Sequence, residues 1–199
     1  IDYGAGNLRS VANALRALGQ EPAVVADAAE LGDATHLLLP GVGSFGDCMA
    51  QLEQRGLANL IRSWVSAGRP YLGICLGYQI LFDSSDESPG VAGLGLFRGK
   101  VKRFGDVPGV KIPHMGWNAA RPAKPNLKNW AGLGDAPYFY FVHSYFPVPE
   151  DESIVASRTD YAAENFASSI ESGAVLACQF HPEKSQDAGL RLIRNFLGL

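Results

Sequence analysis

Cys75 stands between two glycines, Gly73 and Gly77, at the end of the apolar run Tyr71–Ile74. The pattern G-x-C-x-G has the shape of a nucleophile elbow, with sulfur where a serine hydroxyl would sit. Glycine on each side lets the chain turn sharply from strand to helix without a Cβ clash. Free cysteine is also among the most buried residue types and packs like a small hydrophobe. The stretch YLGICLGYQ, taken alone, leaves both readings open: a presented nucleophile or a core side chain.

A nucleophilic thiol needs a base. The segment CQFHPEKS, residues 178–185, offers His181 with Glu183 two places on. In an extended chain such a pair projects to one face, and Pro182 belongs at a strand end because it lacks an N–H. Glu183 could then orient the imidazole and stabilise its charged form. An isolated H-P-E would read as a surface loop; beside an elbow cysteine it reads as a base and its orienting acid. Cys178 lies in the apolar run AVLACQF and reads as core, and Cys48 sits in a predicted helix with core or groove as its place.

The turn GVGSFG, Gly41 to Gly46, matches G-x-G-x-x-G between a strand and a helix. A dinucleotide site would need an acidic residue about 20 positions on, at the end of the next strand. Residues 57–70 hold no Asp or Glu. The turn is better read as a source of backbone N–H groups, which stabilise an oxyanion as well as a phosphate.

The positioning elements follow from periodicity. Residues 7–18 place Leu8, Val11, Leu15 and Leu18 on one helical face, and Gly19 closes the helix. PAVV (22–25) reads as a short strand, and HLLLP as a buried strand stopped by Pro40. Residues 45–67 carry one helix or two, broken near Gly56. YLGI is a further strand, and LGYQILF after the cysteine reads as helix. Strands alternating with helices predict βαβ units and a parallel sheet. Residues 84–137 are rich in Ser, Gly and Pro, with short β-like pieces such as KVKRF. The last third reads as the strands YFYFVHSYF, SIVASRT, NFASSIE and AVLACQF, then a closing helix over 187–197. The expected fold is one α/β domain over 1–199: an open, mostly parallel sheet flanked by helices, with a smaller antiparallel part. Ligands of such sheets bind beyond the carboxyl ends of the strands. PGVGSFG, CLGYQ and HPEKS all lie at such ends. The opening IDYGAGN reads as the end of a first strand whose earlier residues lie outside this sequence.

With 199 residues the chain is long enough for one sizeable core. Hydrophobic residues at 47% and charged residues at 19% describe a globular chain, not a disordered one. A net charge of -3 argues against a nucleic-acid partner, which would require a basic stripe. No apolar run approaches a membrane span. Three scattered cysteines do not form a disulfide framework and point to a reducing, cytoplasmic setting. The four histidines show no metal-binding spacing, so no metal is expected.

GICLGYQ followed by a late HPE resembles the class I, triad-type glutamine amidotransferases. The finer pattern IDYGAGN, PGVGSFGD, PHMGWN, YFVHSY and QFHPEKSQ is similar, nearly end to end, to the glutaminase subunits of imidazole glycerol phosphate synthases. The resemblance implies hydrolysis of glutamine to glutamate and ammonia, with Cys75, His181 and Glu183 as the triad and no cofactor. It implies an oxyanion hole from the Leu76 N–H and the Gly41–Gly43 turn, where Val42 and Gly43 are the candidates. Gly43, Gln79, Glu87, His143, Ser144 and Tyr145 would bind glutamine. The ammonia would pass to a cyclase subunit in a heterodimer serving histidine biosynthesis, with Asn7 and Lys184 on the docking face. A glutaminase of another synthase, a catalytically silent docking module and a cysteine peptidase are the competing readings.

Overall fold

The computed structural model describes residues 1–4 and 7–199; Ala5 and Gly6 of the opening motif lie outside them. Helix α1 spans Leu8–Ala17 and buries Val11, Ala14 and Leu15. Strand β1, Leu37–Gly41, runs through Pro40 and past it. It ends there rather than at Pro40 because, among the described residues, it is the edge strand of the sheet, where a missing N–H costs no ladder bond. Two helices follow, α2 over Phe45–Gln54 and α3 over Leu57–Ser66, separated by Gly56 at φ 69°. Strand β2, Tyr71–Cys75, is buried along its whole length and passes directly into the single turn α4, Leu76–Gln79.

The middle of the chain carries β3 (Ser84–Ser85), β4 (Gly99–Arg103), β5 (His114–Ala119) and β6 (Arg121–Pro122). Then come β7 (Tyr138–His143), β8 (Tyr145–Pro149), β9 (Val155–Tyr161), β10 (Glu164–Ser172) and β11 (Val175–Cys178), and helix α5, Gln186–Leu197, closes the fold. Among the described residues the main sheet has the order β1-β2-β11-β10-β9-β6. β1, β2 and β11 are parallel, and β10, β9 and β6 extend the sheet antiparallel. Two smaller sheets, β3-β4-β8 and β5-β7, stand apart from it.

Alternation along the parallel strands divides the core in two. Leu37, Leu39 and Tyr71 pack with Leu52, Ile61 and Trp64 of α2 and α3. Leu72, Ile74 and Leu176 pack with Val11 and Leu15 of α1 and with Ile193 and Phe196 of α5. The result is helix, sheet and helix in three layers, with the carboxyl ends of β1, β2 and β11 together at one edge. No helix among the described residues is long and apolar enough to cross a membrane.

Three sequence expectations give way to tertiary bonding. PAVV forms no strand: among the described residues its backbone link to the opening segment is the bond from the Asp2 N–H to the Val25 carbonyl at 2.8 Å, and Pro22 has no N–H to add. The helix expected over LGYQILF stops at Gln79. The Ile80 carbonyl accepts instead from the Leu94 N–H at 2.7 Å, and the Leu81 carbonyl from Leu96 and Phe97. The run YFYFVHSYF is cut at Ser144, which sends β7 to pair with β5 and β8 to pair with β4.

Candidate active site

Cys75 is the last residue of β2 and sits at φ 55°, ψ −106°. That conformation is rare for a residue with a Cβ and stores strain. The turn is therefore taken by the cysteine itself. Its flanking glycines serve close packing. A Cβ on Gly73 would run into the Gly77 carbonyl, and one on Gly77 into the Leu39 carbonyl. The two glycines let α4 start directly over the end of β2, so that the first N–H groups of the turn open beside the sulfur.

His181 lies just past β11 at the start of a single 3-10 turn, Pro182–Lys184. The chain there is a turn and not the extended strand expected, yet the pair still meets. His181 Nδ1 donates to Glu183 Oε1 at 2.8 Å, with both side chains sealed from solvent. Asn7 Nδ2 donates to the same Oε1 at 3.1 Å, and Ser10 Oγ holds Asn7 Oδ1 at 2.8 Å. Because Nδ1 is committed to Glu183, Nε2 is left as the working nitrogen. It is buried without a hydrogen-bond partner among the described residues. Burial alone would lower the imidazole pKa. The Cys75 sulfur, and then Glu183, overcome that and push it up to about 10.

A cavity of about 310 Å³ opens over this group, of the size small-molecule sites occupy. Val42, Gly43, Cys75, Leu76, Gln79, Glu87, His143, Ser144, Tyr145 and His181 all line it. A larger hollow of about 400 Å³ lies beside α1 and β1, but neither Cys75 nor His181 reaches it. Chemistry, not volume, chooses between the two. No cluster of His, Cys, Asp and Glu among the described residues is arranged to hold a metal.

The structure corrects one expected donor. The Val42 N–H points away from the cavity and donates to the Tyr3 hydroxyl at 3.1 Å, and that hydroxyl lies 3.1 Å from the Val42 carbonyl. Val42 therefore offers no N–H to an oxyanion. In a trans peptide the carbonyl of one residue and the N–H of the next point oppositely. The Gly43 N–H, with Gly43 at φ 97°, is the one from this turn that is free to face the cavity.

Other expected residues divide by what occupies them. Glu87 Oε2 accepts from the Phe45 N–H at 2.7 Å, and Ser88 Oγ from the Gly46 N–H at 2.9 Å, so the acidic loop is pinned to the start of α2. His143 has both ring nitrogens engaged: Nδ1 donates to the Tyr145 carbonyl at 2.8 Å, and Nε2 meets His114 Nδ1 at 3.0 Å. Its ring is therefore already spent within the protein. Asn7 does not cap α1 with its side chain. Lys184 is exposed, with Nζ 5.8 Å from the Tyr140 ring. Sequence reasoning missed Tyr3, Gln179 and Val142, whose carbonyl lies 4.0 Å from Cys75 Sγ. Of these only Gln179 left a trace, two residues before His181.

The His114–His143 pair predicts acid sensitivity. Burial among Phe104, Phe141, Tyr161 and Phe166 pushes His114 down to about 4 and His143 to about 3. The folded state keeps both neutral while the unfolded chain takes up protons below about pH 6.5. Stability is therefore full above that pH and is lost as the pH falls toward 4. Discounting for solvent near His114, urea unfolding should lose about 2 kcal/mol between pH 7 and 5. A flat profile would contradict the neutral pair.

The class-I glutamine amidotransferase model matches residues 1–198. This chain belongs to that family. The imidazole glycerol phosphate synthase subunit HisH of Thermosynechococcus vestitus is 47% identical, covering 100% of this chain and 95% of its own. The HisH subunit of Aquifex aeolicus is 51% identical, with 98% and 93% covered. Within the amidotransferases the chain thus falls among the HisH subunits and is a glutaminase-type enzyme. A crystal structure of a glutamine amidotransferase superposes at TM-score 0.74 with 25% identity, over 98% and 94% of the two chains. The PurLQS structure from Thermotoga maritima reaches 0.75 at 23% identity, with the same coverage, and supports the fold.

Proposed function

We propose that the cavity hydrolyses glutamine through a Cys75 thioester and hands the ammonia to a cyclase subunit. The observation that carries this is the buried Glu183–His181 pair, with His181 and Cys75 lining the same cavity. His181 Nε2 takes the thiol proton, and the sulfur attacks the side-chain amide carbon of glutamine. The Leu76 and Gly43 N–H groups receive the oxyanion, where one such donor is worth about 10²–10³ in turnover. His181 protonates the departing ammonia, then activates the water that cleaves the thioester. Glu183 keeps the imidazole in its working tautomer throughout. Gln79 and the free edge of Glu87 hold the amino-acid end, with the backbone of Ser144 and Tyr145 closing over it. No cofactor is called for.

The partner reading is supported by a surface beside the site. Met115, Trp117 and Tyr138 are 62%, 47% and 59% exposed on the outer face of the β5-β7 ribbon, and Lys184 lies over Tyr140 next to them. Exposed aromatic and Met side chains in one patch mark a protein interface. The relatives' name, a synthase subunit, supports a cyclase as the occupant, with imidazole glycerol phosphate and histidine biosynthesis as the setting and the cytoplasm as the place.

Glutamate release from glutamine, with and without a purified cyclase subunit and its nucleotide substrate, tests the reading. Strong stimulation by that cyclase is expected. Lys184→Ala should weaken the stimulated rate severalfold and leave the unstimulated rate alone. Unchanged stimulation and affinity would take Lys184 out of the interface.

A further inference from the structure

We infer that Gln179 is a further catalytic residue, donating its amide N–H to the Cys75 sulfur while its carbonyl holds Gln79 in place. The inference rests on Cys75 being the nucleophile. Gln179 follows β11 and is fully buried, with its backbone N–H fixed to the Ser168 carbonyl at 2.9 Å. Its side-chain Nε2 lies 3.6 Å from Cys75 Sγ, and its Oε1 lies 3.1 Å from Gln79 Nε2.

The direction of these bonds is not free. Gln79 Nε2 donates at 3.0 Å to the Tyr145 carbonyl, which can only accept. Gln79 must therefore turn its NH₂ that way, and the second hydrogen of the same group goes to Gln179. Gln179 must meet it with a carbonyl, so its own NH₂ faces the sulfur. A backbone oxygen thus dictates, two side chains away, that Cys75 receives a donor. The orientation of both amides follows from this network. The sulfur then faces the amide of Gln179 and lines the same cavity as His181, and a donor there stabilises negative charge on it. Both Gln79 N–H groups are spent as well. What Gln79 can still offer a ligand is its carbonyl oxygen, an acceptor suited to the ammonium or amide N–H groups of glutamine.

The test is the pH dependence of Cys75 alkylation by iodoacetamide in the full chain, with the modified residue identified by mass spectrometry. It is read beside kcat and KM for cyclase-stimulated glutamate release. Burial pushes the Cys48 thiol up to about 12 and Cys178 well above the ordinary range, so neither competes for reagent near neutral pH. Gln179→Met should move the Cys75 profile up by about one pH unit and lower kcat about tenfold, with a smaller change in KM. Gln179→Glu keeps the shape but brings an acceptor, and should move the profile further. Gln79→Met removes the anchor of Gln179 but leaves the Gln179 amide in place, and should give a smaller shift of the alkylation profile in the same direction. Profiles and kcat matching wild type in both Gln179 variants would overturn the inference, as would a loss confined to KM. Should Gln179→Met fail to fold, the Gln179→Glu and Gln79→Met profiles decide. If His181→Asn leaves the alkylation profile unchanged, what falls is the underlying Cys75–His181 reading instead.

Discussion

Cys75→Ala should cut glutamate release by about 10⁴-fold or more, with the fold and cyclase binding kept. The loss is large because no other group can take the cysteine's place. Cys48 and Cys178 are sealed in the core, and His181 has its charge stabilised by the Cys75 sulfur itself. Catalysis here also carries a measurable cost in stability. At φ 55° and ψ −106° an alanine is as strained as the cysteine, whereas glycine is at ease. Cys75→Gly should therefore be just as inactive yet about 1 kcal/mol more stable than Cys75→Ala in urea unfolding. Equal stabilities would mean that the elbow is not strained. Residual turnover within tenfold of wild type in Cys75→Ala would remove the thioester.

Gly77→Ala should be among the most damaging single methyl additions to the described chain. Its Cβ would land on the Leu39 carbonyl, a backbone atom held in β1 by pairing with β2. No side chain can swing aside to make room. Relief requires lifting α4 off the sheet, which moves the Leu76 N–H and breaks the Gln79 bonds together. The expected loss is about 4 kcal/mol or more, or failure to fold, measured by urea denaturation. A loss below about 1 kcal/mol would show that the strand-to-helix contact is loose, and with it the placement of the oxyanion donors. Gly56→Ala is the contrasting case. Nothing lies near its Cβ, and only the backbone conformation at φ 69° is penalised.

The grouping of Cys75, His181 and Glu183 was legible because its signals are local. G-x-C-x-G and H-P-E each specify their own turn, and alternating strands and helices place both turns at one sheet edge. What stayed hidden depends on which way a polar group faces. Val42 was expected to offer its N–H, and no residue type in the sequence announces that Tyr3, 39 positions earlier, claims it. Asn7 was expected on the docking face, but its amide is spent on Glu183, 176 residues away. LGYQILF has a helical pattern, and its carbonyls were taken by residues 94–97. His143 was placed at the cavity by motif, and only the structure shows its ring already committed to Tyr145 and His114. In each case local propensity met a long-range hydrogen bond, and the bond prevailed.

The Tyr145 carbonyl accepts from both Gln79 and His143, so one main-chain oxygen aligns the amides on one side and the imidazoles on the other. Point mutation cannot delete that atom. The polarity of the site is thereby insulated from genetic drift at position 145: a substitution there changes the ring and leaves the oxygen. Saturation mutagenesis would score Tyr145 by its side chain alone and rank it as tolerant. The residue that organises the site would then be invisible to the method most often used to find such residues. Replacing the 145–146 amide by an ester would expose it: this weakens that acceptor and removes the Phe146 N–H, and a control ester at the 147–148 bond of β8 separates the two effects.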